Sequence, residues 1–368
     1  MKVVLAYSGG LDTSVAIKWL QEKYQAEVVT LTLDLGQEED LKAAEEKSLM
    51  LGSVKHYGLD VREAFVRGYV FPSIRANGLY EGKYPLSTAL GRPLIASKLV
   101  EVAEKEGAQA VAHGCTGKGN DQVRLDVTVR ALNPALKIIA PVREWGLTRD
   151  QEMVYAREKG VPVSPKKSIY STDQNLWGRS IESGVLEDPT VEPPADAFEW
   201  VVRPEDAPDR PTYLKLAFED GLPVSLDGVE LDPMTLIVKL NSIAGTNGVG
   251  IIDHIEDRLV GIKSREVYEC PAATVILEAH RELEKLVLTR HELNFKRTVD
   301  SAWSELVYTG LWVDPLRNDL EAFVQSTQNR VTGTVTVKLY KGGLRVVGRT
   351  SPYSIYDTKL ATYSSEST

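Results

Sequence analysis

The chain has 368 residues, 43% hydrophobic and 26% charged, enough for about two domains with a large core and unlike a disordered or fibrous sequence. Lys plus Arg total 43 and Asp plus Glu total 52, a net charge of −9, which argues against a general nucleic-acid binder because phosphate contacts need a basic surface. No run nears the ~18 apolar residues of a membrane span, the first residues lack a signal-peptide pattern, and two cysteines, Cys115 and Cys270, exclude a disulfide framework or a four-cysteine zinc site; the expected location is the cytoplasm.

In chain order, Lys2–Tyr7 reads as a buried strand and Leu11–Lys23 as a helix with one apolar face. Glu27–Leu33 is a second strand, Glu38–Leu51 is helical in composition, and Val54–Leu59 is a third strand. Pro93–Glu106 has helical spacing, while Gln109–His113 and Lys137–Pro141 complete the strand candidates. Strands separated by helices imply βαβ units. The expected class is α/β, a doubly wound, mainly parallel sheet with ligands at the carboxyl ends of its strands. Six prolines between Pro189 and Pro211 end that alternation and read as an irregular connection. Beyond it, Thr212–Phe218 and Thr235–Leu240 read as strands and Ala273–Leu288 as an amphipathic helix. Val331–Val347 reads as a hairpin around Lys341-Gly342-Gly343. A second, α+β domain is therefore expected. The glycines of Gly245-Thr-Asn-Gly248-Val-Gly250 lack a βαβ context and read as a turn.

The strongest local signal is Ala6-Tyr7-Ser8-Gly9-Gly10-Leu11-Asp12-Thr13-Ser14, which follows the first strand and opens the first helix. Two glycines permit close backbone approach, and a helix N-terminus offers free N–H groups to an anion. Ser8, Thr13 and Ser14 add hydroxyls, so the segment is a phosphate cradle. It lacks the Lys-Ser/Thr pair of a Walker A loop. A second glycine-rich turn, Ala112-His113-Gly114-Cys115-Thr116-Gly117-Lys118-Gly119-Asn120-Asp121-Gln122-Val123-Arg124, also enters a helix. Asn120 and Arg124 share a helix face there, and a guanidinium suits a carboxylate. Read alone, that turn is equally a solvated helix start.

The first loop resembles the pyrophosphate loop of the ATP pyrophosphatases, and the two loops together resemble the argininosuccinate synthase family. Further strings agree: Asp34-Leu-Gly-Gln37, Tyr84, Arg92-Pro-Leu-Ile-Ala96, Tyr170-Ser-Thr-Asp-Gln-Asn175, Glu182, Leu186-Glu-Asp-Pro189, Gly248-Val-Gly250, Glu256-Asp-Arg258 and Lys263-Ser-Arg-Glu-Val-Tyr-Glu269. The resemblance runs from residue 1 to about Asp357. It implies ATP-dependent joining of citrulline and aspartate through a citrullyl-adenylate, with release of pyrophosphate and AMP. It implies that Ala6, Tyr7, Ser8, Gly9, Gly10, Leu11, Asp12, Thr13 and Ser14 hold ATP, with Leu33 and Gly114 beside the adenosine and Mg2+ carried on the phosphates. Thr116, Asn120 and Asp121 would face aspartate. Tyr84, Thr88, Asn120, Arg124, Ser171, Ser180, Glu256 and Tyr268 would face citrulline, Glu256 taking its ammonium and Arg124 its carboxylate. Asp12, Asp121 and Arg124 are the catalytic candidates, working by positioning and charge stabilisation, with no general base and no protein-held metal. As residues alone, Tyr84 and Tyr268 also suit a core edge, Ser171 and Ser180 helix caps, and Glu256-Asp-Arg258 a solvated charge cluster. The implied organisation is a nucleotide domain over 1–165, a synthetase domain over 166–357 and a short tail over 358–368 in place of the family's helical arm, with a homotetramer as the expected assembly. A related adenylating enzyme with another acceptor and a non-enzymatic ATP-binding module are the alternatives.

Overall fold

The computed structural model describes residues 1–37, 40–117, 119–162 and 169–362. The first half is a βα succession: β1 (Lys2–Ala6), α1 (Leu11–Tyr24), β2 (Glu27–Asp34), α2 (Leu41–Met50) and β3 (Lys55–Asp60). The short helices α3 (Arg62–Phe65) and α4 (Phe71–Arg75) follow, then α5 (Ser87–Glu106), β4 (Ala110–Ala112), α6 (Asp121–Leu132), β5 (Lys137–Ile139), α7 (Pro141–Trp145) and α8 (Arg149–Glu158). The five strands pair in parallel in the order β3-β2-β1-β4-β5. The order reverses between β1 and β4, and their carboxyl ends there open a crevice suited to a ligand. Val3 and Leu5 point to one apolar layer with α1, and Val4 to the other with α5, as strand alternation requires.

Helix α5 begins at Ser87, well before the Pro93 that the spacing suggested as its start. Proline is normally costly inside a helix. Here the turn before it buries Ala89, Leu90 and Gly91, and this packing outweighs the local preference. The earlier start brings Thr88 and Arg92 onto the helix.

The second half contributes two antiparallel sheets. One joins β6 (Ser171–Asn175), β7 (Gly178–Glu182), β11 (Ile251–Asp257) and β12 (Lys263–Glu269) in the order β11-β12-β7-β6. The other joins β8 (Thr212–Glu219), β9 (Leu222–Leu226), β10 (Val229–Glu230), β13 (Gly333–Tyr340) and β14 (Gly343–Thr350) in the order β10-β9-β8-β13-β14. The β13–β14 hairpin turns on Lys341 and Gly342, both at positive φ (49° and 77°), the backbone that a tight two-residue hairpin loop demands. Between these strands lie α9 (Pro233–Thr246), α10 (Pro271–Val287), α11 (Arg290–Tyr308) and α12 (Pro315–Gln328), and α13 (Thr358–Ala361) follows β14.

Thr235–Leu240 is helical within α9, not a strand. Its β-branched run suited a strand, but Asp232 accepts from the Thr235 N–H at 3.0 Å and Pro233 occupies the first turn. A capping carboxylate and an N-terminal proline together start a helix. The Gly245–Gly250 segment ends α9 and turns into β11. The proline-rich stretch forms short 3-10 turns at Ala195–Ala197 and Pro204–Asp206.

A single apolar core crosses from one half to the other. Trp177, fully buried after β6, belongs to that core together with Leu35, Leu86 and Leu90 of the first half and Cys270 and Ala273 of the second. Its indole N–H donates to the Pro85 carbonyl at 3.0 Å. The division expected near residue 165 lies outside the described residues, as do the last residues of the tail, 363–368. Among the described residues no helix is long and apolar enough to cross a membrane.

Candidate active site

The phosphate loop leaves β1 with Gly9 at φ 70° and enters α1 through Gly10, which makes no side-chain cap. The first N–H groups of α1 therefore keep their capacity for an external acceptor. Ser8 Oγ and Thr13 Oγ1 lie 3.2 Å apart. Ser14 is buried against the Tyr7 hydroxyl at 3.2 Å. Lys47 of α2 donates to the Gly9 carbonyl at 2.6 Å and braces the loop from behind.

A cleft of about 810 Å³ opens over this loop. Ala6, Tyr7, Ser8, Gly10, Leu11, Asp12, Thr13, Leu33 and Gly114 line it together. Gly9 and Ser14 belong to the loop without lining the cleft. Gly114 brings the second loop against the first: a Cβ there would sit 3.1 Å from the Thr13 methyl. His113 directly follows β4 and is structural. Its Nδ1 accepts from the Cys115 N–H at 3.2 Å, so Nε2 carries the proton and donates to Asp126 at 2.8 Å. Burial pushes the Cys115 thiol up to about 12, which keeps it a thiol.

A second space of about 100 Å³ adjoins the first. Tyr84, Thr88, Asn120, Asp121, Arg124, Ser180, Glu256 and Tyr268 line it, with Asp173, Glu182, Arg258 and Glu266. Ser180 and Tyr268 face each other across the β7–β12 pairing, and Glu256 comes from β11. Ser171 and Ser180 are strand residues, not helix caps. Ser171 lines the larger cleft instead, and Thr116 is exposed and lines neither space. The Tyr84 hydroxyl lies 2.6 Å from Thr88 Oγ1, and its ring stacks on Tyr268 with centroids 4.2 Å apart.

Charge is tightly paired here. Asp121 accepts from Arg124 Nη1 at 2.9 Å and lies 2.8 Å from Arg92 Nη2. Burial opposes ionisation of Asp121, yet the two guanidinium groups outweigh it and hold the carboxyl at about 2. Arg92 also pairs with Asp173. Arg92 lines the larger cleft, Asp121 the smaller, and Asp173 both. These three side chains are therefore the seam between the two spaces. The Nη2 of Arg124 and the Nε of Arg92 are buried without hydrogen-bond partners, donors of the kind that bind an incoming anion. Glu256 is 3% exposed and accepts from the hydroxyls of Tyr268 at 2.8 Å and Tyr308 at 2.6 Å. Burial pushes both tyrosines well above their ordinary range, helped by the Glu256 carboxylate at Tyr308 and by Tyr84 and then Glu256 at Tyr268, so they remain donors.

Tyr308, Arg92 and Arg149 had no role in the motif reading. Tyr308 ends α11 and orders the pocket: its carbonyl accepts from Arg124 Nε at 2.9 Å, its ring lies 4.9 Å from the Arg124 guanidinium, and its hydroxyl accepts from Asn120 at 2.9 Å. Asn120 in turn accepts from the Leu259 N–H at 2.9 Å. Gly310, at φ 82°, lets this segment abut α6; a Cβ would stand 2.9 Å from the Arg124 Cα. Gly310→Ala is thus expected to cost about 1–3 kcal/mol of unfolding free energy, read by urea denaturation. A variant as stable as the parent would show that α6 is not wedged there.

The family model described as "Arginosuccinate synthase N-terminal HUP domain" matches residues 2–162, and "Arginosuccinate synthase C-terminal domain" matches 170–368. Curated relatives named argininosuccinate synthase include that of Pyrococcus furiosus, 59% identical over 100% of this chain and 89% of its own length. That of Pyrobaculum aerophilum is 58% identical over 99% and 92%, and that of Symbiobacterium thermophilum 57% identical over 98% and 91%. A phosphate loop at the sheet's switch point, an adjoining pocket of paired acids and arginines, and matches along nearly the whole length converge: the chain belongs to the argininosuccinate synthase family.

Proposed function

We propose that the chain joins citrulline and aspartate to give argininosuccinate at the expense of ATP, releasing pyrophosphate and AMP. The observation that carries this reading is the seam: a nucleotide-sized cleft and a small amphoteric pocket meet at Arg92, Asp121 and Asp173. A reaction that adenylates one amino acid and then admits another needs that contiguity.

In this reading the adenosine lies by Leu33 and Gly114 and the triphosphate on Ala6–Ser14, with Mg2+ entering as part of the nucleotide. Citrulline occupies the pocket of Tyr84, Thr88, Asn120, Arg124, Ser180, Glu256 and Tyr268, with Ser171 on the wall of the adjoining cleft. Glu256 receives its ammonium, and the buried Nη2 of Arg124 its carboxylate. The ureido oxygen then attacks the α-phosphorus, and the bond to the bridging oxygen breaks as pyrophosphate leaves. Aspartate reaches Thr116, Asn120 and Asp121, and its amine displaces AMP. Asp121, ionised between two arginines, is an acceptor for that amine. The protein works by placement and fixed charge. Asp12, Asp121 and Arg124 are the residues on which we place the chemistry.

The reading includes a cytoplasmic location and a homotetramer. Tyr353, Ile355, Tyr356 and Leu360 are exposed apolar side chains close together in the chain, which subunit contacts would cover, and sedimentation velocity tests the assembly. The activity is tested by pyrophosphate release from ATP, with citrulline and aspartate each omitted in turn. Full release needs both; no release with both present overturns the proposal.

A further inference from the structure

The phosphate end of the cleft carries a cation that no motif includes. Arg149 opens α8 and lines the cleft beside the loop. Its Nη1 lies 2.5 Å from Asp12 Oδ1 and 2.8 Å from Glu152 Oε2. Asp12 sits in the first turn of α1, where the loop's N–H groups converge. Glu152 is 5% exposed, and its other oxygen, Oε1, is buried without a partner. Both contacts of Arg149 use one nitrogen, so Nε and Nη2 have no hydrogen-bond partner among the described residues. The cleft's other arginine, Arg92, is already engaged by Asp121 and Asp173 at the seam.

A triphosphate on this loop brings several negative charges next to Asp12. Backbone N–H groups supply partial charges only. An arginine presents a planar fork that fits phosphate oxygens in a bidentate manner. Resting on the adenylation reading above, we propose that Arg149 is a β,γ-phosphate ligand that binds the departing pyrophosphate, with Asp12 and Glu152 as the carboxylates that position its guanidinium. When the ureido oxygen bonds to the α-phosphorus, the bridging oxygen leaves with the bonding electron pair as pyrophosphate. Arg149 stays cationic throughout and neutralises part of that charge; no proton moves to or from it. Glu152 touches no substrate and acts through Arg149.

The test compares wild type, Arg149→Gln and Glu152→Gln. Pyrophosphate affinity is measured by calorimetry, and citrulline-dependent exchange of labelled pyrophosphate into ATP by radioactivity. Arg149→Gln should weaken pyrophosphate binding about tenfold or more and slow exchange about 100-fold. The KM values for citrulline and aspartate should stay within about threefold. Glu152→Gln should raise the KM for ATP more than it lowers kcat, a split that a purely structural role would not produce. Unchanged pyrophosphate affinity in Arg149→Gln overturns the proposal, as does an equal loss for all three substrates. In the wild type itself, bound pyrophosphate should slow phenylglyoxal modification of Arg149, mapped by mass spectrometry. An unaltered rate overturns the proposal without any variant having to fold. Failure of the adenylation reading is separate: the wild type would then bind pyrophosphate yet show no citrulline-dependent exchange.

Discussion

Asp121→Asn is expected to lower kcat/KM for aspartate by about 100-fold or more while leaving citrulline-dependent pyrophosphate exchange within about fivefold of wild type. The substitution conserves volume and one acceptor oxygen. Arg92 keeps Asp173, and Arg124 keeps the Tyr308 carbonyl and ring, so the seam retains its partners. What disappears is a full negative charge held between two guanidinium groups. Removing one member of a buried charged contact costs roughly 2–5 kcal/mol, which sets the size of the effect. Exchange depends on the first half-reaction alone, so it reports on ATP and citrulline without aspartate. An equal fall in both measurements would remove Asp121 from the aspartate role and leave it a structural anchor for the arginines.

The second large effect is expected at Glu256. Glu256→Gln should reduce kcat/KM for citrulline by about 100-fold or more, with ATP affinity unchanged within about twofold. Glu256 lies on β11 and lines the smaller space but not the cleft over the loop, and two tyrosine hydroxyls donate to it. Glutamine retains one oxygen acceptor, but its NH2 faces a hydroxyl that must then turn to accept. The same substitution should bring Tyr308 and Tyr268 down toward the ordinary tyrosine range, because Glu256 contributes to raising both. An ultraviolet titration detects that shift independently of turnover. Full citrulline affinity in the variant would mean that the ammonium is bound elsewhere.

The parallel half was legible because its signals are local. A strand, two glycines and a helix follow one another within a dozen residues, and the crevice comes with the strand order. The second half yielded less. Thr235–Leu240 has the composition of a strand, and only the Asp232-Pro233 start marks it as a helix. Strands β6, β7, β11 and β12, which carry Ser171, Ser180, Glu256 and Tyr268, are rich in polar residues, so no apolar alternation announces them. Helices α11 and α12 lie where no element is predicted, although Thr289 with Glu292 forms a capping box that marks the start of α11. Tyr308 and Arg149 sit on helices outside the motifs and acquire meaning only through contacts with residues 120–124 and with Asp12. Arg92 lay within a recognised string, but its place between two carboxylates depends on how α5 meets α6 and β6.

The tie between Asn120 and Tyr308 has a consequence for the order in which the molecule is made. Its two partners are 188 residues apart in the chain, and the Asn120–Leu259 bond spans 139. The side chains lining the nucleotide cleft have all been synthesised once Gln174 leaves the ribosome. The lining of the neighbouring pocket is complete only at Tyr268, the Tyr308 contacts that order it follow, and the Gly310 turn that seats α6 comes later still. Contacts of such long sequence separation form slowly and late. A nascent chain therefore acquires its cleft-lining residues early and the contacts that order the neighbouring pocket near the end of synthesis, so a chain arrested short of Tyr308 would lack the carbonyl and ring that hold Arg124.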